Sequence, residues 1–499
     1  MPVLSLKRQA EYLEDSENGA ETNNGANMNG EGSSGSGQPT YMARLFQRFG
    51  ECLEKLEIDT KSHACIRKME QMAIFVHESM SISARNYHSV QHVFDISKDM
   101  TEPIPILAAL FHDCIYYHVD GEFSARQSEK LKGAVISKES SANCILPKAA
   151  DDDLLQITMS IFGFEEGQEL TPFTGLNEYL SAVVAVRELG DLLSRRHLAE
   201  IACCIEATIP FRPTTEENGT PMDRLFQKMK RTNETFKLEM TTNELVMAVQ
   251  QAAILANNDV GNFGTDDRGW FLDNTWSLLP ESNAPLRHHY LFTVEEFQSA
   301  VFKMHGFFGF LKPTVIFQSF RGIPCEKEIQ NKIVNATRNI EVGHRYIAAK
   351  LLSISVLAAI AELTGGDAPV SMFMGDLPSR SCVSIRLASL IPTLDEATVE
   401  KEGKCDIEVY DLLLNGRKSE SSFDIRQSPL AAYFHGHMGD ASIDEVLAKF
   451  KVYPMTLETA KSLLRSLPSE PTRTIAEKIC MVAPSRAPFL HEIVENIIG

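Results

Sequence analysis

The sequence predicts a mainly α fold: a helical bundle followed by a mostly helical C-terminal region with two candidate short strands. Three observations carry this. From Tyr41 onward, apolar residues recur at three- and four-residue spacing, as in YMARLFQRFGECLEKL and HACIRKMEQMAIFVHESM. Strict apolar–polar alternation, the mark of a half-buried strand, is scarce until the last third. Hydrophobic residues make up 43% of the 499 residues and charged residues 23%, an ordinary globular balance with ample length for a sizeable core.

Taken in chain order, the segment from about Asn18 to Thr40 is rich in Gly, Asn, Ser and Glu and holds almost nothing to bury. Residues 1–40 therefore read as a disordered leader. Beyond the helices opened at Tyr41, others are expected at about 106–117, 121–133, 176–208 (broken), 222–239, 243–258, 294–308 and 329–364. The last ends on Gly365–Gly366, which suits a helix C-cap and needs no phosphate. VSIRLASLI and CDIEVYDLLL are the candidate strands. The tail, 441–499, reads as helices punctuated by prolines at 454, 468, 471, 484 and 488. A soft boundary near 320 separates a region 41–320, which carries the motifs, from a region 321–499 of unassigned role.

Composition narrows the function. The 67 acidic against 48 basic residues give a formal net charge of -19. That argues against non-specific binding to nucleic acid or an anionic membrane. It leaves room for a nucleotide substrate, because a bound cation supplies positive charge locally. No run of eighteen apolar residues occurs and the first twenty residues lack a secretory pattern. Ten scattered cysteines form no C-x-x-C, so reduced thiols in a cytoplasmic protein are expected.

The chemistry concentrates between Arg85 and Leu131. In NYHSVQHVFDI, His88 and His92 are four apart and Asp95 follows three later, which on a helix would align the three along one face. In ILAALFHDCIYYH, His112 and Asp113 sit within a strongly apolar helical run. Burying an imidazole and a carboxylate there costs roughly several kcal/mol unless they are paired or bind a metal. A divalent cation would use both ligand types. In NELVMAVQQAAILANNDVGNFG, Asp259 falls at the end of an apolar helix, where the macrodipole disfavours an anion and a positive partner such as a metal would explain it.

The pattern His … His-Asp … Asp on helices resembles the signature of the HD superfamily of metal-dependent phosphohydrolases. The closer match is to the bacterial branch opening with Tyr-His-x-x-x-His, in YHSVQH, in ALFHDCIYY, in Glu122–Ala125, in IEAT (205–208) and in NNDVGNFG. The opening is also similar to the Tyr-His-Asn-x-x-His of cyclic-nucleotide phosphodiesterases, with Ser89 in place of Asn. The resemblance covers roughly residues 60–275 and implies an HD-type helical bundle. It also implies that His92, His112, Asp113 and Asp259 bind a divalent metal (Mn, Mg, Zn, Co or Fe, one or two ions), with Asp113 able to bridge. His88 would be the phosphate ligand or general acid, making His88 and Asp113 the catalytic pair. His118 and Glu122 would serve a second metal or support the first, and Arg85 or Arg126 would meet substrate phosphate. The metal would activate water at neutral pH. Where related proteins often carry a His after Ile-x-Ala-Thr, this chain reads IEATIPFRP, with Phe211 and Arg212.

Each element has a bland counterpart. A lone His on an apolar helix is usually a satisfied core residue, and His-Asp pairs are common. Here four spaced elements agree in order, and that agreement carries the metal reading. A solvated helix start is an equal reading for His118, Glu122 and Arg126, and a salt bridge to a neighbour is an equal reading for Asp95. His435-Gly436-His437 and His288-His289 read as loops, and Asp151–Asp153 as a helix N-terminus. The expected function is hydrolysis of a small phosphate ester, a nucleotide or cyclic nucleotide. Two alternatives stay open: a di-iron oxygenase of the same superfamily, and a catalytically silent regulatory protein.

Overall fold

The computed structural model describes residues 39–137, 144–146, 152–171, 174–288, 291–376 and 384–498. The expected leader, 1–40, lies outside these residues except for its last two positions, and so do Asp151 and His289. Among the described residues the fold is mainly α, as the sequence predicts. The helices are α1 (Tyr41–Lys55), α2 (His63–Met80), α3 (Val90–Ser97), α4 (Pro103–Phe111), α5 (Tyr117–Asp120), α6 (Ala125–Lys130), α7 (Asp153–Phe162), α8 (Leu176–Leu189), α9 (Arg195–Ala207), α10 (Pro221–Phe236), α11 (Thr242–Asp259), α12 (Arg268–Ser282), α13 (Val294–Phe310) and α14 (Glu326–Thr364). The C-terminal part adds α15 (Val370–Met374), α16 (Leu387–Leu390), α17 (Glu396–Glu402), α18 (Ile407–Asn415), α19 (Pro429–Met438), α20 (Asp440–Lys449), α21 (Leu457–Ser466), α22 (Ser469–Val482) and α23 (Ala487–Ile493).

Local chemistry sets many of the starts. Thr220 with Asp223, Thr241 with Glu244 and Thr293 with Glu296 form capping boxes that open α10, α11 and α13. Asp152 accepts from the amide of Leu155 to start α7, so the acidic run does mark a helix N-terminus.

The strands are not where the sequence placed them. Strands β1 (Ile136–Ser137), β2 (Cys144–Ile145) and β3 (Glu169–Leu170) pair antiparallel, with Ile136 opposite Ile145 and Cys144 opposite Leu170. Of the two candidate strands, VSIRLASLI contains α16 and CDIEVYDLLL contains α18. The reason is visible in α18: Asp406 caps it by accepting from the amide of Glu408, and Val409, Tyr410 and Leu413 are buried at helical spacing. His435-Gly436-His437, expected in a loop, lies in α19, where buried His435 pairs with Asp440 at 2.8 Å.

Buried apolar residues form two clusters. One runs from Leu45 to Ala256 and recruits Phe320. In its middle lies α4, buried from Ile104 to Phe111 and packed on α1, α3, α8, α9 and α11. The other runs from Phe263 to Ile498 around α14. The change of core falls between Ala256 and Phe263, ahead of the boundary expected near 320, because α12 and α13 pack on α14. At 39 residues α14 is long and apolar enough to cross a membrane, but 89% of its most apolar window is buried inside the protein. Its apolarity is that of a core helix.

Within the first cluster, the IEAT segment has an electrostatic role. Glu206, 1% exposed, takes Arg212 at 2.6 Å and Lys228 at 2.7 Å. Burial would raise its pKa, but the two cations outweigh this and hold it below the ordinary value. Replacing Glu206 with Ala leaves both cations without that partner and is expected to cost about 3–5 kcal/mol at neutral pH. A carboxylate with a depressed folded pKa stabilises above its unfolded value and loses that contribution as pH falls through the folded one. The difference between Glu206→Ala and wild type in urea melts should therefore narrow below about pH 4.3.

Candidate metal centre

The site is assembled where two helices and two turns meet. Asp259 is the last residue of α11, as expected, and His92 stands in the first turn of α3. His112 and Asp113 are not in the middle of a helix: α4 ends at Phe111 and a turn follows. Backbone groups there find partners elsewhere. The carbonyl of Asp113 accepts from Arg85 at 2.5 Å, and the amide of Ile115 donates to Ser181 Oγ at 3.0 Å. His88 likewise lies before α3 rather than on it. The amides of Asn86, Tyr87 and His88 all donate to Glu281 Oε1, at 2.8, 2.7 and 3.0 Å, which holds this segment as a turn. Asp95 is exposed, stays outside the cluster, and accepts from Gln91 Nε2 at 2.6 Å.

One ligand atom from each of His92, His112, Asp113 and Asp259 falls within 4.8 Å of all the others, so these four residues could hold a metal ion. His92 Nε2 is 3.1 Å from Asp259 Oδ1 and 3.7 Å from Asp113 Oδ2. His112 is 1% exposed, and its Nδ1–H donates to the carbonyl of Ala109 at 2.8 Å. A carbonyl carries no proton, so this bond keeps a proton on Nδ1, and in the neutral imidazole Nε2 is the nitrogen that carries the lone pair. That nitrogen lies 2.8 Å from Asp113 Oδ2 and 3.3 Å from Asp259 Oδ1, yet it is aligned for a hydrogen bond with neither. A buried nitrogen, oriented by its own second bond and lacking a partner between two carboxylates, fits a metal ligand.

Electrostatics reinforce the grouping. Burial opposes the charged forms of His112, Asp113 and Asp259, but attraction between the groups wins. Asp113 and Asp259 lift the His112 pKa well above the ordinary range. His112 and His88 hold the Asp113 carboxyl far down, and Asp259 is brought down to about 2, chiefly by His112.

His88 faces the cluster without joining it: Nδ1 lies 2.6 Å from Glu281 Oε2 and Nε2 lies 4.0 Å from Asp113 Oδ2. Burial depresses its pKa, but Glu281 and Asp113 outweigh that and raise it. The remaining residues singled out in the sequence lie outside the cluster. His118 is exposed and set edge-on to Tyr116, whose ring packs on His88. Glu122 is exposed. Arg126 reaches Glu78 at 3.6 Å, both about half exposed. Arg85 is not open to a substrate phosphate: its buried guanidinium is taken up by Asp120 at 2.6 Å and by the carbonyl of Asp113. It positions the turn that presents Asp113.

Two functional candidates were not seen in the sequence. Glu281, 3% exposed on α12, organises His88 from 193 residues away, and nothing local marks it. Glu178 on α8 has a buried Oε2 without a hydrogen-bond partner. Burial, joined by repulsion from Asp113 and Asp259, pushes its pKa up to about 7. Beside the cluster opens a cleft of about 250 Å³, lined by Asn86, Gln91, Asp95, Asn258, Trp270 and Asn274 together with His92 and Asp259. No Lys or Arg is among its described lining residues.

Comparison with protein-family models, curated proteins and solved structures found no match.

His112→Ala and Asp113→Ala are each expected to remove divalent-ion binding, read by titration calorimetry with Mn²⁺ or Zn²⁺, while far-UV circular dichroism keeps its helical signal. Undiminished ion binding in either variant would rule out the centre.

Proposed function

We propose that this chain is a metal-dependent hydrolase of phosphate esters of the HD type, acting on a nucleotide or cyclic nucleotide. The observation that carries the reading is the unpartnered Nε2 of His112 held between Asp113 and Asp259, with His92 completing the set. Two carboxylates and two neutral imidazoles carry a charge of about -2, which one divalent ion balances. Such an ion would polarise a phosphoryl oxygen and lower the pKa of a water from about 16 towards about 7.

The chain's own groups supply the rest. Glu281 fixes the Nδ1 proton of His88, so Nε2 is the atom turned towards the cluster. The raised pKa of His88 favours imidazolium, which suits it to protonate a departing oxygen. Among the described residues no Lys or Arg lines the cleft, so an anionic substrate would be drawn chiefly to the ion and to His88. Trp270, 43% exposed, presents a ring beside the amides of Asn86, Gln91 and Asn274. Such a surface accepts a nucleobase by stacking and hydrogen bonding.

The test is elemental analysis of protein purified without a metal-affinity tag, beside Asp113→Ala, followed by a panel of nucleoside phosphomonoesters and cyclic and linear phosphodiesters. About one equivalent of transition metal, absent from the variant, with hydrolysis of at least one ester, is the expected result. Metal-loaded protein inert to the whole panel would end this reading. His88→Ala and Glu281→Gln should each keep the ion and lose about 10²–10⁴ in kcat. Loss of the ion in His88→Ala would place His88 among the ligands instead.

A further inference from the structure

A second cavity lies in the C-terminal core, between α14, α15 and the segment that leads into α19. Its apolar walls include Phe292, Phe297, Ile354, Leu357 and Phe423. It is a small, partly open cavity of about 80 Å³. The space is therefore narrow and suits a chain rather than a bulky ring system. Gly375 shapes one wall. Its φ of +80° and the close approach of Ile385, whose carbonyl would lie 2.5 Å from an added Cβ, bring the backbone of residues 385–386 against α15.

The charges around the cavity do not cancel. Lys350 lies 2.6 Å from Asp424 and 3.0 Å from Ser428 Oγ. Arg417 lies 3.6 Å from Asp424 and 3.4 Å from Asp273. Those two cations and two carboxylates balance. Arg386 also lines the cavity, its Nε is buried without a hydrogen-bond partner, and among the described residues no carboxylate forms an ion pair with it. One cation is left over at the edge of an apolar, narrow space.

We infer that this cavity binds a slender amphipathic anion, a straight-chain carboxylate of medium length, with its hydrocarbon against the α14 wall and its head group on Arg386. Apolar enclosure supplies the affinity for the chain, and the guanidinium fork supplies orientation and selection for a carboxylate. The assignment is independent of the metal centre.

Titration calorimetry of the full chain with octanoate, and with octanol as the uncharged counterpart, tests it. One octanoate per chain is expected. Arg386→Ala should weaken octanoate at least tenfold and leave octanol unchanged. Ser371→Trp, at a half-buried lining position, should block both. Failure of wild type to bind octanoate, equal octanoate affinity in Arg386→Ala, or full binding in Ser371→Trp each overturns the proposal. Should Ser371→Trp misfold, the octanoate–octanol comparison in Arg386→Ala still decides.

Discussion

The carboxylate of Glu281 is the constraint on which the candidate site depends. One oxygen gathers three successive amides and the other takes the His88 imidazole. A carboxylate accepting this many charge-assisted bonds is driven to stay ionised, and its pKa is indeed lowered despite burial. The bonds also join the two cores. The amides belong to the turn before α3, whose Val90, Val93 and Ile96 pack in the first cluster, while α12 packs Phe271, Trp276 and Leu279 in the second. This tie fixes which nitrogen of His88 faces the cluster and holds the His88 segment against α12.

Helix periodicity lets α12 serve two neighbourhoods at once. Trp270, Asn274, Ser277 and Glu281 follow one another at four, three and four residues, so they share a face, and that face lines the cleft or reaches His88. Asp273 and Trp276 lie on another face. There the Trp276 indole donates to Asp424 at 3.0 Å, and Asp273 accepts from Ser419 and approaches Arg417. The same element thus lines the cleft beside the candidate metal centre on one side and meets the charge cluster near the C-terminal cavity on the other.

The four metal-ligand candidates were legible because their types and local settings conflict with burial. An imidazole and a carboxylate after the apolar run of α4, and a carboxylate at the C-terminal end of α11, make sense only with a partner of opposite charge. What failed was geometry that depends on distant residues. The spacing of His88, His92 and Asp95 reads as one helical face, but the helix starts only at Val90, and His88 lies in the preceding segment, whose amides Glu281 gathers. Arg85 reads as a free cation, yet Asp120 and the carbonyl of Asp113 take up its donors. CDIEVYDLLL alternates enough to read as a strand, and the Asp406 cap together with burial of Val409, Tyr410 and Leu413 turns it into a helix.

The acidity of the chain and the character of the cleft belong to one argument. A protein of formal charge -19 whose cleft shows Asp95 and Asp259 and no described Lys or Arg repels anions by default. The cations near the site are already committed: Arg85 to Asp120, Arg212 and Lys228 to Glu206. Among the described residues, attraction for an anion in this cleft would then come mainly from His88 in its protonated form, from an ion held by His92, His112, Asp113 and Asp259, and from Arg44, which donates to the lining Gln91 at 3.3 Å. Under the proposed function, recognition of a phosphate there would be tied to an ion held by that cluster, and the neutral lining of Asn86, Gln91, Asn274 and Trp270 would act on the uncharged parts of the ligand.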